Sequence, residues 1–127
     1  MVAVSAANAR VMFESLQVGR PVTMEEEETL AEALSGGIGL TNRYSLPLIR
    51  ELIDEHILVS EEEIRAGMLY GIRSMGILLE GGGAVALAAL LGEKYDVACT
   101  DGTLAVVLSG GNVALPRLQK LAEDVPA

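Results

Sequence analysis

Residues 81–92, GGGAVALAALLG, run for twelve positions without a charged or hydrogen-bonding side chain. A helix made of them is apolar all round, so it must be enclosed rather than laid on a surface with one face in water. It is also far short of the roughly 20 residues needed to cross a bilayer. Its glycines and alanines permit close packing against neighbours. The enclosing layers must come from the rest of a 127-residue chain, a length that suits one domain around one core. That core is aliphatic: the chain is 50% hydrophobic, yet it holds only three Tyr, one Phe and no Trp.

The flanking pattern alternates strands and helices. Val2, Ala3 and Val4 form a strand candidate, followed by a helical run with Val11, Met12, Ser15 and Leu16 on one side. Gly19 stops that helix and Pro21 keeps the connector extended. Thr23 and Glu26 have capping-box spacing and predict a helix over 24–34, with the glutamates at 25–28 as its solvated first turn. The SGGIG stretch at 35–39 interrupts the pattern, and 44–55 resumes it with Leu48, Leu52 and Ile53 as the apolar stripe and Pro47 in the first turn. Ile57, Leu58 and Val59 are too short a run for a helix and read as a strand. Ser60 and Glu63 then cap a long helix carrying Ile64, Met68, Ile72 and Met75 at near-helical spacing. Residues 77–80 either end this helix or lead, extended, into the glycines at 81–83. The uniformly apolar TLAVVL at 103–108 predicts a strand buried on both faces of a parallel sheet. Pro116 opens a last helix to Ala122. The alternation implies an α/β architecture with a mostly parallel sheet, thin at three strands.

Eighteen acidic against nine basic residues give a net charge of -9, which opposes nucleic acid and anionic membrane surfaces. The single cysteine, Cys99, excludes an intrachain disulfide and a cysteine zinc cluster, reads as an inert small residue, and fits a reducing cytoplasm. The single histidine, His56, excludes a His-rich metal site and reads as a surface or helix-terminal residue. Tyr44, Tyr70 and Tyr95 are expected to pack their rings with the hydroxyls toward water or a partner. The start of the chain lacks the charged leader and apolar run of a signal peptide.

There is no HExxH, no nucleophile elbow and no GxxxxGK[ST] motif. Chemistry must therefore be sought at the glycine turns. The turn at 36–39 follows a helical pattern rather than a strand and reads as an inter-helix connection. The glycines at 81–83 put the Glu80 carboxylate beside backbone that a ligand can approach, at a helix N-terminus. Ser109, Gly110, Gly111 and Asn112 follow the most apolar strand candidate, where open α/β sheets place ligand crevices. Either turn can also be read as purely structural, and the one at 109–112 is the better site by position.

Taken together, SGGN at 109–112, LLEGGGAVALAALL at 78–91 and TLAEALSGGIGL at 29–40, with LVSEEEI at 58–64 between them, resemble the C-terminal part of the pyridoxal-phosphate-dependent serine/threonine dehydratase family, which includes serine racemases. Asn42, Arg43 and Tyr44 resemble the branch that acts in hydroxyectoine breakdown. The likeness runs from about Val2 to Leu115. It implies the C-terminal part of a fold-type-II large domain, a partial three-layer sandwich with a mostly parallel sheet, covering residues 1–127 with the N-terminal part missing. It implies pyridoxal 5'-phosphate as cofactor and β-elimination from a small hydroxy-amino acid such as serine or threonine, giving a 2-oxo acid and ammonia.

Residue by residue, the resemblance implies that the Ser109 hydroxyl meets the ring nitrogen. A hydroxyl there leaves the pyridine largely unprotonated, where a carboxylate would hold it protonated. Glu80 is implied to stand near the ring and substrate, with Gly110, Gly111 and Asn112 as the supporting turn. The stretch from Ala33 to Gly36 would line the other side. The chain departs from the family at Ala31, Glu32 and Ala33, where Ala-Asp-Gly is usual, so Ala33 puts a methyl where a glycine peptide normally nears the cofactor. Glycines at 81–83 replace a proline-containing motif and add backbone entropy. The family's cation-binding Glu and Asp fall on Ser5 and Val11, so no metal site is expected. The family's cofactor-bearing lysine lies in its N-terminal portion, and neither Lys94 nor Lys120 stands in that motif. The chain alone is thus expected to be inactive as a dehydratase. Its partners are expected to be a complementary lysine-bearing half, an amino-acid substrate and further copies of itself. A non-catalytic oligomeric or interaction protein, or a small ligand-binding α/β domain, are the alternatives.

Overall fold

The structure, a computed structural model, describes residues 1–99 and 101–123, with Cys99 described by its backbone alone. The expectation for the Cys99 thiol therefore lies outside the described residues. Strand β1 (Val2–Ala6) is followed by helix α1 (Val11–Val18), a short 3-10 turn (Glu32–Leu34) and helix α2 (Ser45–Leu52). Strand β2 (Glu55–Val59) leads to helix α3 (Glu61–Tyr70), a π-turn (Gly71–Met75), helix α4 (Gly81–Leu91), a second 3-10 turn (Val97–Cys99) and helix α5 (Leu115–Glu123).

The two strands pair in parallel, Val4 against Ile57 and Ala6 against Val59. Side chains alternate across the pleat, so the faces divide cleanly. Ala6, Ile57 and Val59 belong to the core shared with α3 and α4. His56 points the other way, and the Phe13 ring of α1 meets it edge-on with centroids 5.2 Å apart. Helix, sheet and helix thus form a partial three-layer α/β sandwich with a small parallel sheet.

Helix α4 occupies the centre, as its composition requires: Ala84, Val85, Leu87, Ala88 and Ala89 are all buried. It crosses α3 where Gly67 removes a side chain. A Cβ there would lie 3.0 Å from the Ala84 carbonyl oxygen and 3.2 Å from the Ala88 nitrogen, so the two backbones touch. The α3 N-terminus carries a full capping box. The Ser60 hydroxyl accepts from the Glu63 N–H, and the Glu63 carboxylate accepts from the Ser60 N–H at 2.6 Å. Gly19 ends α1 in the left-handed conformation at φ 78. Among the described residues no helix is long and apolar enough to cross a membrane.

Several expectations are corrected. Residues 24–31 form no helix. Four successive glutamates supply no apolar face, and a tertiary partner claims the end of the segment: the Glu61 carboxylate accepts from the Thr29 hydroxyl and the Leu30 N–H, each at 2.6 Å. Only the 3-10 turn at Glu32–Leu34 remains of the expected helix. Residues 103–108 are not a strand; they lie outside regular structure and are mostly exposed, Val107 at 80%. A strand exists only by pairing, and the sheet among the described residues has two members, not three. Helix α2 ends at Leu52, and its expected stripe residues Leu48 and Leu52 face solvent while Leu46 is buried. The α3 pattern fails after Tyr70, because the π-turn rotates Ile72 and Met75 out to solvent. His56 is not a surface residue but a half-buried strand residue.

Candidate functional site

Three chain segments meet at the N-terminus of α4, and glycines decide how closely. Residues 77–80 lie outside the helix, with Glu80 extended at φ -76, ψ 163, so this stretch leads into the glycines and does not end α3. The Glu80 N–H donates to the Gly110 carbonyl at 3.1 Å, and the Glu80 carbonyl accepts from the Gly83 and Ala84 N–H groups at 3.0 and 3.1 Å. Gly110 adopts φ 75, and a Cβ on it would fall 2.1 Å from Glu80 Oε1. The carboxylate therefore lies directly on the Gly110 Cα. A Cβ on Gly111 would come within 2.9 Å of the Leu78 carbonyl oxygen. On the other side, a Cβ on Gly81 would lie 2.1 Å from the Leu30 carbonyl oxygen, while one on Gly82 would stand at an ordinary 3.5 Å from the Ala33 methyl.

The stretches 30–33, 80–83 and 109–112 are thus stacked edge to edge, which brings together all six residues singled out in the sequence. They border a cavity of about 360 Å³ lined by Ala33, Glu80, Gly81, Gly82, Asn112 and Arg117, with Met68 at its apolar wall. Ser109, Gly110 and Gly111 back the turn but do not line this cavity, and Ser109 is exposed. The Ala33 to Gly36 stretch separates: Ala33 faces this cavity, Ser35 a neighbouring groove, and Gly36 lies beside Glu26.

Arg117 enters the site unannounced by the sequence, and Glu32, noted there only as a departure from the family motif, becomes its partner. Arg117, in the first turn of α5, lines the cavity and pairs through Nη1 with the Glu32 carboxylate. The short link from Asn112 to Leu115 was the available signal, because it forces the start of α5 to stay beside the glycine turn. Leu118 and Leu121 anchor that helix in the core, and the Arg65 Nε donates to the Leu121 carbonyl at 3.1 Å. Beyond Glu32 and Arg117 opens a larger groove of about 630 Å³ bordered by Glu26, Glu27, Glu28 and Glu61. Among the described residues no group of three or more His, Cys, Asp or Glu is arranged to hold a metal ion.

Ionisable groups away from the cavity are perturbed for local reasons. Burial pushes the half-buried His56 imidazole below its usual value. Its Nε2 bonds the Ser5 hydroxyl at 2.8 Å, and its buried Nδ1 has no hydrogen-bond partner. For Glu63, burial pushes the carboxyl up, but the Ser60 N–H, the Lys94 ammonium and the Ser60 hydroxyl together hold it below the usual range.

The residues present suit a flat, polar-edged group: glycine backbone at 82, a carboxylate at Glu80, an amide at Asn112 and an apolar wall at Met68. A family model described as pyridoxal-phosphate dependent enzyme matches residues 1–110. The chain is 32% identical over 127 residues to the catabolic L-threonine dehydratase TdcB of Escherichia coli strain K12, covering all of this chain and 38% of that protein. Two solved structures are similar at 28% identity, each covering 96% of this chain. The processed form of threonine deaminase isoform 2 from Solanum lycopersicum superposes with a TM-score of 0.81 over 35% of its chain. Maize serine racemase superposes with a TM-score of 0.77 over 37% of its chain. The chain spans little more than a third of the length of these relatives.

Proposed function

Because this chain belongs to the pyridoxal-phosphate-dependent enzyme family, we propose that residues 1–127 are the C-terminal part of the catalytic domain of a serine/threonine dehydratase-type lyase. The observation that carries this reading is the stacking of Glu80 on Gly110 beside a cavity that also holds Ala33 and Asn112. Glu80, Gly82, Ala33 and Asn112 would border pyridoxal 5'-phosphate there, and the bound cofactor would supply an electron sink.

The chain's own residues supply the surroundings. Glu80, held by its N–H bond to Gly110, presents a carboxylate to the cavity, where it orients an ammonium group or holds a proton. Gly82 leaves bare backbone at the cavity with the Ala33 methyl beside it, while the bare face of Gly81 is taken up by the Leu30 carbonyl. Asn112 offers an amide donor and acceptor at the cavity edge. Ser109 is the residue proposed to meet the ring nitrogen; it is exposed and outside the cavity, so that edge of the ring must reach past the cavity to it. The substrate class is a small hydroxy-amino acid, eliminated to a 2-oxo acid and ammonia.

No lysine lines the cavity among the described residues, so the reaction requires a complementary segment carrying one. The exposed apolar stretch 103–108 supports a partner at that face, either such a segment or a second copy of the chain. Asn42 spans its turn, donating to the Ile38 carbonyl and accepting from the Leu46 N–H, each at 2.8 Å. Asn42, one of the three residues that resemble the hydroxyectoine branch, thus holds a turn.

The test mixes this chain with a polypeptide carrying the family's lysine and phosphate-binding glycine loop. Visible cofactor absorbance and ammonia release from serine or threonine, both lost in Glu80→Ala, are expected. Absence of both with the two polypeptides folded and associated would overturn the reading.

A further inference from the structure

We propose that Glu61 is a positioning residue for the cavity at the N-terminus of α4. From the start of α3 it fixes the wall at 29–33, and through that wall the spacing between Ala33 and residues 80–82. The proposal rests on reading the cavity as the cofactor site and says what holds its shape.

Glu61 borders the larger groove and not the cavity. Both of its carboxylate oxygens are engaged by one short piece of chain. Oε1 accepts from the Thr29 hydroxyl and Oε2 from the Leu30 N–H, each at 2.6 Å, and Thr29 Oγ1 in turn accepts from the Ala31 N–H at 3.1 Å. Thr29 and Ala31 are buried, so water does not compete for these bonds, and the charge on the acceptor strengthens them. The same stretch meets α4. The Leu30 carbonyl oxygen lies 2.1 Å from where a Gly81 Cβ would stand, and the Ala33 methyl 3.5 Å from the corresponding position on Gly82. Leu30, Glu32 and Ala33 line the cavity, so a shift of the Leu30 peptide is a shift of its wall.

The other ties on this stretch are weak or opposed. Glu26, Glu27 and Glu28 border the same groove as Glu61, so charge pushes the chain just upstream away from α3. Downstream, Glu32 pairs with Arg117, but its side chain is 71% exposed, and an ion pair held that far into water contributes little. Glu61 is the firm tie, because it projects from a helix whose start is fixed by the Ser60 and Glu63 capping box. A group bound between the wall and residues 80–82 keeps its alignment only while that tie holds, and a misplacement of about 1 Å can cost roughly a hundredfold in rate. Glu61 thus acts on the reaction without touching the reacting atoms.

The experiment compares Glu61→Gln, Thr29→Val, which removes the hydroxyl donor to Glu61, and Thr29→Ser, which keeps it. In the 127-residue chain NMR follows the Gly81 Cα hydrogens, one of which stands where a side chain would attach and faces the Leu30 carbonyl oxygen. Their signals should move in Glu61→Gln and Thr29→Val and hold in Thr29→Ser. Gly67, at the crossing of α3 and α4, is the internal control, and its signals should stay in place in all three. In the complemented enzyme, Glu61→Gln and Thr29→Val should lower kcat about tenfold or more while KM for L-serine changes less than about threefold. Both should also shift the visible cofactor band, and Thr29→Ser should restore rate and band. If the Gly81 signals stay put in Glu61→Gln, the wall stands without Glu61 and the proposal falls. If Gly67 moves with them, Glu61 serves the fold at large and the proposal falls equally. If Gly81 moves while kcat and the band do not, Glu61 is an anchor without a positioning role. A native complemented enzyme with neither cofactor uptake nor ammonia release overturns the lyase reading instead, and the Gly81 signals then decide alone whether Glu61 holds the wall.

Discussion

A Cβ placed on Gly83 would lie 1.6 Å from the Ser109 carbonyl oxygen, so the first turn of α4 and the start of the 109–112 turn touch backbone to backbone. No side chain fits between them, and neither partner is a flexible group that could yield. The site's two glycine turns are therefore one mechanical unit.

Gly83→Ala should accordingly destabilise the chain by roughly 3 kcal/mol or more, the upper range for forcing atoms into a packed core. Gly82→Ala is the control, since its Cβ would meet Ala33 at an ordinary contact distance and face the cavity. Urea denaturation should separate the two variants clearly; equal midpoints would show that the 83 to 109 contact gives way without cost.

Glu61 takes the place of the helix expected at 24–34 by holding Thr29 and Leu30. Glu61→Gln removes the charge assistance and puts an amide NH2 in place of one of the two accepting oxygens, so a loss of about 2 kcal/mol is expected. Hydrogen exchange should localise it, with the Leu30 amide losing protection before the α3 amides do.

At the α3 N-terminus, Ser60→Ala should cost about 1 kcal/mol by leaving the Glu63 N–H uncapped. Glu63 adds a pH dependence. Its folded-state pKa is depressed, so its contribution is present above the usual glutamate value and is lost as pH falls through the lower folded value. The acid limb of the stability curve should therefore flatten in Glu63→Gln. An unchanged acid limb would exclude Glu63 as its source.

His56 should act in a higher window. Burial lowers its folded-state pKa, so below the ordinary value of 6.5 the unfolded chain takes up a proton that the folded chain resists. Stability should fall as pH drops from 6.5 toward the folded value and then level off. His56→Phe should abolish that step, and urea midpoints at a series of pH values on either side of 6.5 in both proteins provide the comparison.

The elements legible in the sequence are those whose causes are local. The capping box at Ser60 and Glu63 starts α3 where spacing alone predicts, Gly19 ends α1, and the enclosed α4 follows from a run without polar side chains. Ile57 and Val59 alternate with His56 as a period of two demands. The elements that failed depend on something distant. Thr23 and Glu26 have capping-box spacing, yet Glu61, more than thirty residues on, claims Thr29 and Leu30 with better bonds than another helical turn offers. Residues 103–108 have strand composition, but a strand's backbone groups are satisfied only by a neighbour, and no pattern within six residues supplies one.

The site divides in the same way. Glycines flanking Glu80 and following Leu108 announce places where backbone must come close, because only glycine tolerates those approaches, and family resemblance gathered them with Ala33 into one pocket. Arg117 and Glu32 were silent as a pair: an arginine in the first turn of a surface helix and a glutamate in an acidic stretch look like solvated charges. What the sequence determined by itself was which segments could be helices, which glycines had to stay bare, and that 81–92 had to be enclosed, since propensity, capping and apolar periodicity act within a few residues. The tertiary structure alone decided that Glu61 would hold Thr29 and Leu30 out of a helix, that α5 would bring Arg117 across to Glu32, and that the cavity would have one positive side, since those contacts depend on how distant elements pack.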